Sequence, residues 1–334
     1  MKTLRAVSTV VGFVVALATI KEAQAALVLT PAGVADGFSI SVFATGISNN
    51  GTYGPMGIAT TSSGNVLVTD FGGSPPSTFS WADVDGQTPG SALADSSVGT
   101  SYFGITNAQG KIYAVNFGSG NIDLLNNNGS FNSVFLALPG GTNGAGDGIA
   151  TNPVDGHIYV DSANGINDIN PVTLAVRHVN NIVGDGITIS PDGTTVYVAQ
   201  GGTIKGYNTT TGAATGFSVT IGGADGVGVI QSGSIFNNYL VVNTNGGLVD
   251  LVDPTGAVVT TIANGGSRGD FVGADKNNGT LFLSQTDSVA RLSCGPGCQF
   301  TTTTPEPGTL GLLTLGLAWL LRKRISGAMR SGRS

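Results

Sequence analysis

Asp185-Gly186-Ile187-Thr188-Ile189-Ser190-Pro191-Asp192-Gly193-Thr194-Thr195-Val196-Tyr197-Val198-Ala199 reads as two short strands joined by one tight turn. Ile187 and Ile189 alternate with a polar residue, and the run after the break is β-branched and aromatic. Pro191 presets φ at the first corner of the turn, and Gly193 accepts the left-handed backbone that closes it. The same phrase recurs along the chain. Its copies are Met56-Gly57-Ile58 to Val66–Asp70, Phe103-Gly104-Ile105 to Lys111–Val115, Asp147-Gly148-Ile149 to His157–Val160, the quoted stretch, Asp225-Gly226-Val227 to Tyr239–Val242, and Asp270-Phe271-Val272 to Thr280–Leu283. From Gly57 through Gly104, Gly148, Gly186 and Gly226 to Phe271 the steps are 47, 44, 38, 40 and 45 residues.

A period in the low forties with several short strands per copy is the spacing of a propeller blade. Six copies predict an all-β, six-bladed β-propeller over residues 38–293. In the third copy, four strands are expected at about Gly148 to Thr151, His157 to Val160, Gly165 to Ile169 and Leu174 to Val179. The sixth copy runs out after Val289 to Leu292, whereas Ser39-Ile40-Ser41-Val42-Phe43 precedes the first copy and has no blade of its own. The N-terminal strand is therefore predicted to close the last blade, removing an open edge. A β-sandwich or a parallel β-helix is the alternative, although most β-helix coils are shorter than this period.

Both ends read as targeting segments. Lys2 and Arg5, the apolar Ala6 to Ile20, and Ala23-Gln24-Ala25 form a secretory signal peptide over residues 1–25, cut by signal peptidase before Ala26. Residues 26–37 are an N-terminal lead. Pro305-Glu306-Pro307 begins the C-terminal segment 305–334, where an apolar run stops at Arg322-Lys323-Arg324. Gly308 to Leu321 is 14 residues, as a helix about 21 Å against a hydrocarbon core of about 30 Å, so it is a short membrane helix with a basic cytoplasmic stop.

Between the signals, residues 26–304 hold six basic and 18 acidic residues, a difference of −12, against −6 for the whole chain. Every acid in that segment is Asp. Such a surface repels phosphate backbones, which excludes nucleic acid as a natural partner, and it attracts divalent cations. Cys294 and Cys298, in Cys-Gly-Pro-Gly-Cys, read as a small local disulfide in an exported protein, within a Cys loop and Thr spacer at 294–304. His157 opens a strand and His178 lies in an expected outer strand, which gives little support to a His-centred triad or zinc site. The stretch Gly72 to Ser97, with Pro75-Pro76 and Trp81, reads as a variable insert and a candidate partner surface.

Asp147, Asp185, Asp225 and Asp270 each stand just before a first strand. Just past the second strands come Asp70, Asn116, Asp161, Gln200, Asn243 and Gln285. Antiparallel pairing brings both sets to one end of each blade, which predicts a polar ring at one mouth of the channel. Two readings stand. Asp before Gly is an ordinary turn former, its carboxylate bonding nearby amides. A ring of carboxylates and amides also suits calcium, which takes six to eight oxygens, or a hydroxyl-rich ligand.

The tail, with Pro305-Glu306-Pro307, its apolar run and Arg322-Lys323-Arg324, resembles the PEP-CTERM signal of bacterial envelope and exopolysaccharide-associated proteins. That resemblance implies processing by an exosortase-type membrane protease and a location in the cell envelope or outside it, with the C-terminus at least transiently anchored. Pro55-Met56-Gly57-Ile58-Ala59 with Gly64 to Asp70, and Ser190 to Ala199, resemble the NHL-type and gluconolactonase-like six-bladed propellers. In the calcium-dependent members an Asp or Asn before the strand ligates the metal, which points to Asp185 and Asp225, with Asp147 and Asp270 beside them. Those enzymes also use a Glu of the first blade, where this chain offers Met56. The expected function is an exported binding or matrix-associated module for an envelope polysaccharide or protein; a calcium-dependent lactonase-type hydrolase is the alternative.

Overall fold

The computed structural model describes residues 26–295, except 98, 143, 145–147 and 232–234. Six antiparallel sheets of four or five strands account for the described chain. Their inner strands are Pro55–Thr60, Tyr102–Ala108, Ile149–Thr151, Ile187–Ile189, Ala224–Val229 and Val272–Asp275. Each packs against the inner strand of the next blade, and the sixth packs against the first, so the ring closes into a six-bladed propeller. In blade three the strands are Ile149–Thr151, Ile158–Val160, Ile166–Ile169 and Val176–Asn180, within two residues of the expected bounds.

The recurrent glycine has a steric cause. A Cβ on Gly57 would lie 2.5 Å from the carbonyl oxygen of Phe103, one on Gly148 2.2 Å from that of Asp185, and one on Gly186 2.0 Å from that of Asp225. Inner strands of adjacent blades thus approach backbone to backbone, and only glycine permits that distance. Blade six carries Phe271 at the equivalent place. There Gly273 makes the close approach instead, where an added Cβ would lie 2.7 Å from the carbonyl oxygen of Ile58 in blade one. The apolar faces of neighbouring sheets fill the space further out, as Phe43, Phe79, Trp81 and Phe282 do between blades six and one.

Closure follows the expected route. Ser39–Thr45 pairs antiparallel with Ser288–Ser293 as the outer strand of blade six, Ile40 opposite Leu292 and Val42 opposite Ala290. Arg291 reinforces the seam: its guanidinium pairs with Asp83 of blade one and Asp275 of blade six, and it stacks on the rings of Phe43 and Phe282. Its Nε also lies 3.0 Å from Asp85 Oδ1, off the N–H axis, so that contact is ionic rather than hydrogen-bonded.

Two segments differ from the expectation. The lead contributes structure: Val28–Leu29 pairs with Val259–Asn264 as a fifth strand of blade five, followed by the short helix Pro31–Ala35. Thr30 Oγ1 accepts from the Gly33 amide at 3.1 Å and caps that helix. The stretch Gly72 to Ser97 is no display loop around Trp81. It supplies two strands of blade one, Ser77–Trp81 and Ala94–Ser96. Trp81 is fully buried there, its indole N–H donating to the Thr88 carbonyl at 2.8 Å.

Candidate functional site

Asp185, Asp225 and Asp270 lie at the starts of the inner strands of three consecutive blades, four to six. The glycine seams bring those starts together, so the carboxylates converge at one mouth of the channel. Asp225 and Asp270 are buried and Asp185 is partly exposed. Arg268, from the loop entering blade six, reaches into the group. Its Nε donates to Asp270 Oδ1, its Nη2 stands 3.4 Å from Asp225 Oδ2, and its guanidinium carbon lies 4.8 Å from the centre of the Tyr53 ring.

Three carboxylates and one guanidinium leave excess negative charge in a poorly hydrated place. Burial, then the charge of Asp225 and a hydrogen bond with it, pushes the Asp185 carboxyl up to about 9. Burial and the charge of Asp270 raise Asp225, against the opposing pull of Arg268. Asp270 is raised by burial despite the Arg268 ion pair. The Asp185–Asp225 pair therefore retains a proton at neutral pH, as close carboxylates do. Asp225 Oδ1 is buried with no hydrogen-bond partner among the described residues.

The residues past the second strands are placed differently. Asp161 of blade three accepts from the amides of Ser162 at 3.0 Å and Gly184, at the entry to blade four, at 2.8 Å. Asn243 of blade five donates to the carbonyls of Ser284 at 2.8 Å and Phe271 at 3.3 Å in blade six, and accepts from Gln285 at 3.3 Å. Gln200 donates to the Val183 carbonyl at 3.2 Å. Asn116 stays within blade two, donating to Asp123 Oδ2 at 2.7 Å. Burial pushes Asp70 up to about 6 against the amides of Gly72 and Gly73. These side chains satisfy backbone groups at turns and between blades.

Asp147 lies outside the described residues. So do Cys298 and the sorting residues Pro305, Glu306, Pro307, Arg322, Lys323 and Arg324. Cys294 is disulfide-bonded. Both histidines belong to blade three. His157 Nδ1 lies 2.8 Å from Asp168 Oδ1, and Arg177 holds the other oxygen at 2.6 Å. His178 Nε2 lies 2.8 Å from Asn181 Oδ1.

Sequence reasoning missed Arg268 and Tyr53. The available signal was scarcity: Arg268 is one of only six cations between the two targeting segments, and it stands two residues before Asp270. Its presence bears on the metal reading. Among the described residues no group of three or more His, Cys, Asp or Glu side chains is arranged to hold a metal ion. Arg268 engages one oxygen each of Asp225 and Asp270, so a cation at this mouth would have to share the aspartates with a guanidinium.

Residues 303–324 match the PEP-CTERM protein-sorting motif. The chain carries a PEP-CTERM sorting signal. This exported propeller is thereby marked for envelope sorting, with an exosortase as the processing partner that the motif implies. Among the described residues no helix is long and apolar enough to cross a membrane, and the expected C-terminal helix lies outside them. No curated protein matches the chain. Among solved structures, a gluconolactonase from Xanthomonas campestris is similar at TM-score 0.57 and 16% identity, covering 80% of this chain and 94% of its own. A provisionally assigned gluconolactonase gives TM-score 0.60 at 13% identity, covering 82% and 99%. An auxiliary nutrient binding protein from Bacteroides ovatus gives 0.56 at 13%, covering 77% and 76%. At these identities the likeness is one of fold.

Proposed function

We infer that the protein is a binding module of the cell envelope, held there at least transiently by its C-terminal segment, whose ligand is an extracellular polysaccharide or an envelope protein. The observation that carries this reading is Arg268. By pairing with Asp225 and Asp270, it supplies internally the positive charge that a catalytic cation would otherwise bring. What remains at the mouth is a fixed set of donors and acceptors beside an aromatic ring, Tyr53, which suits hydroxyl-rich ligands. The PEP-CTERM motif supports the address, and a propeller offers a broad face for a polymer.

A second reading has one observation in its favour. The unpartnered, buried Asp225 Oδ1 is the kind of oxygen a calcium ion would satisfy, and a calcium-dependent lactonase-type hydrolase would build on it. That reading requires Arg268 to withdraw. The test is retention of the full chain on polysaccharide isolated from the producing cells, beside a lactone hydrolysis assay with calcium. The binding reading expects retention, weakened in Arg268→Gln, and no calcium-dependent turnover. Turnover that needs calcium and disappears in Asp225→Asn would replace it with the hydrolase.

A further inference from the structure

The opposite mouth of the channel is a different chemical environment. A cavity of about 370 Å³ opens there, lined by the C-terminal halves of the inner strands. Isoleucines from four blades and Phe271 supply its apolar surface, and polar groups line more of it than apolar ones. Thr60, Asn107, Thr151, Thr188 and Gln231 contribute polar groups to the lining. Lys276 is the one charged residue among the described lining residues.

Lys276 leaves blade six, passes the inner strand of blade one, and donates to the Asn107 carbonyl of blade two at 3.0 Å. Thr151 Oγ1 donates to the same carbonyl at 3.0 Å, and Asn107 Nδ2 donates to the Thr60 carbonyl at 2.7 Å. The lysine is thus held across the mouth. No described carboxylate lies within ion-pair distance of it; the described ion pairs involve only His157, Arg177, Arg268 and Arg291. Burial, unopposed by any anion, lowers its pKa. In a chain this rich in Asp, a cation placed in a cavity with no described carboxylate in ion-pair contact is an arrangement that an incoming anion completes.

We propose that this cavity binds a sugar acid, its carboxylate on Lys276 and its hydroxyls on the threonine and amide groups of the lining. The volume falls in the range of small-molecule sites. The isoleucines and Phe271 offer a patch for the C–H face of a sugar ring, while the more extensive polar lining selects a ligand that returns its hydrogen bonds. A neutral sugar leaves the ammonium without a counter-charge. This site goes beyond the aspartate mouth and stands without it.

The test is calorimetric titration of the full chain with glucuronate, glucose and a glucuronate tetramer. Glucuronate should bind at least about tenfold tighter than glucose, and Lys276→Met should abolish that preference. Equal affinity for the two sugars, no binding of glucuronate, or an unchanged preference in Lys276→Met would overturn the proposal. Should that variant fail to fold, amine acetylation of the wild-type chain reads the same contact by mass spectrometry. Glucuronate should protect Lys276 and glucose should not; equal protection by both overturns it. A tetramer that binds tighter than the monomer identifies the end of an acidic polymer as the source, and one no tighter identifies the free sugar acid.

Discussion

Arg268 Nη2 stands 3.4 Å from the buried carboxylate of Asp225, with the Asp270 carboxylate on the same guanidinium. A loop of blade six thereby neutralises a residue at the start of blade five, and the charge balance of the mouth depends on one side chain. Removing one partner from such a buried arrangement leaves the other charge uncompensated, which costs about 3–5 kcal/mol. Arg268→Met should lower stability by that order in denaturant unfolding, and Asp225→Asn should lower it much less. Similar losses for the two would mean that Arg268 is not the compensating charge.

The raised carboxyls fix the sign of the pH dependence. Asp185 is pushed up to about 9 and Asp225 to about 7, against about 3.9 in an unfolded chain. The folded state therefore binds more protons than the unfolded one between these values, and stability falls as pH rises through them. Asp70 and Asp275, each pushed up to about 6, act in the same direction. Asp192 and Asp253 are held below the usual range, so their contribution is lost only as pH falls toward 4 and below. The unfolding temperature should peak in mildly acid solution and decline through neutrality, and Asp185→Asn should flatten the decline above pH 7. A melting profile that rises toward pH 9 would contradict this placement of the carboxyls.

The glycine seam gives a test of the fold's spacing. Alanine at Gly186 puts a methyl 2.0 Å from the Asp225 oxygen, so backbone must shift. Overpacking of this kind costs about 1–3 kcal/mol or more. Gly222→Ala, with nothing within 4 Å of the added carbon, should change stability by a few tenths of that. Equal melting temperatures for the two variants would remove the close approach as the reason for the repeated glycine.

Much of this architecture was legible because it is written in period and alternation. The six phrases from Gly57 to Phe271 gave the blade count, and the orphan strand at Ser39–Thr45 gave the closure. Val28–Leu29 was not legible, since a two-residue strand is too short to show a period of two. Trp81 was misplaced because Pro75-Pro76 and scattered glycines resemble a loop, although the strand Ser77–Trp81 lies within them. The site was read by its acids and amides, without a cation. Asp185, Asp225 and Asp270 do converge, but nothing in the local sequence of Arg268 says which carboxylates it will meet from another strand. Asp161 and Asn243 occupy the expected end of their blades, yet their polar atoms are taken up by backbone groups of the next blade.

The two N-terminal strands should differ in weight. Ser39–Thr45 forms a full ladder with Ser288–Ser293, whereas Val28–Leu29 adds two residues to an already four-stranded blade. Truncation before Phe38 should leave a cooperative unfolding transition at lower temperature. Truncation after Thr45 should expose the edge of blade six and abolish that transition or cause aggregation. Retained cooperativity in the second truncation would show that closure by this strand is dispensable.

The most direct test of the central claim, that Arg268 and not a metal ion balances the aspartate mouth, is thermal unfolding of the full chain in excess calcium and in chelator. A ligand of the folded state adds about 2.7 kcal/mol at a hundredfold excess over its Kd. The same melting curve in calcium and in chelator is the expected result. A calcium-dependent rise in melting temperature that disappears in Asp225→Asn would contradict it and make the mouth a metal site.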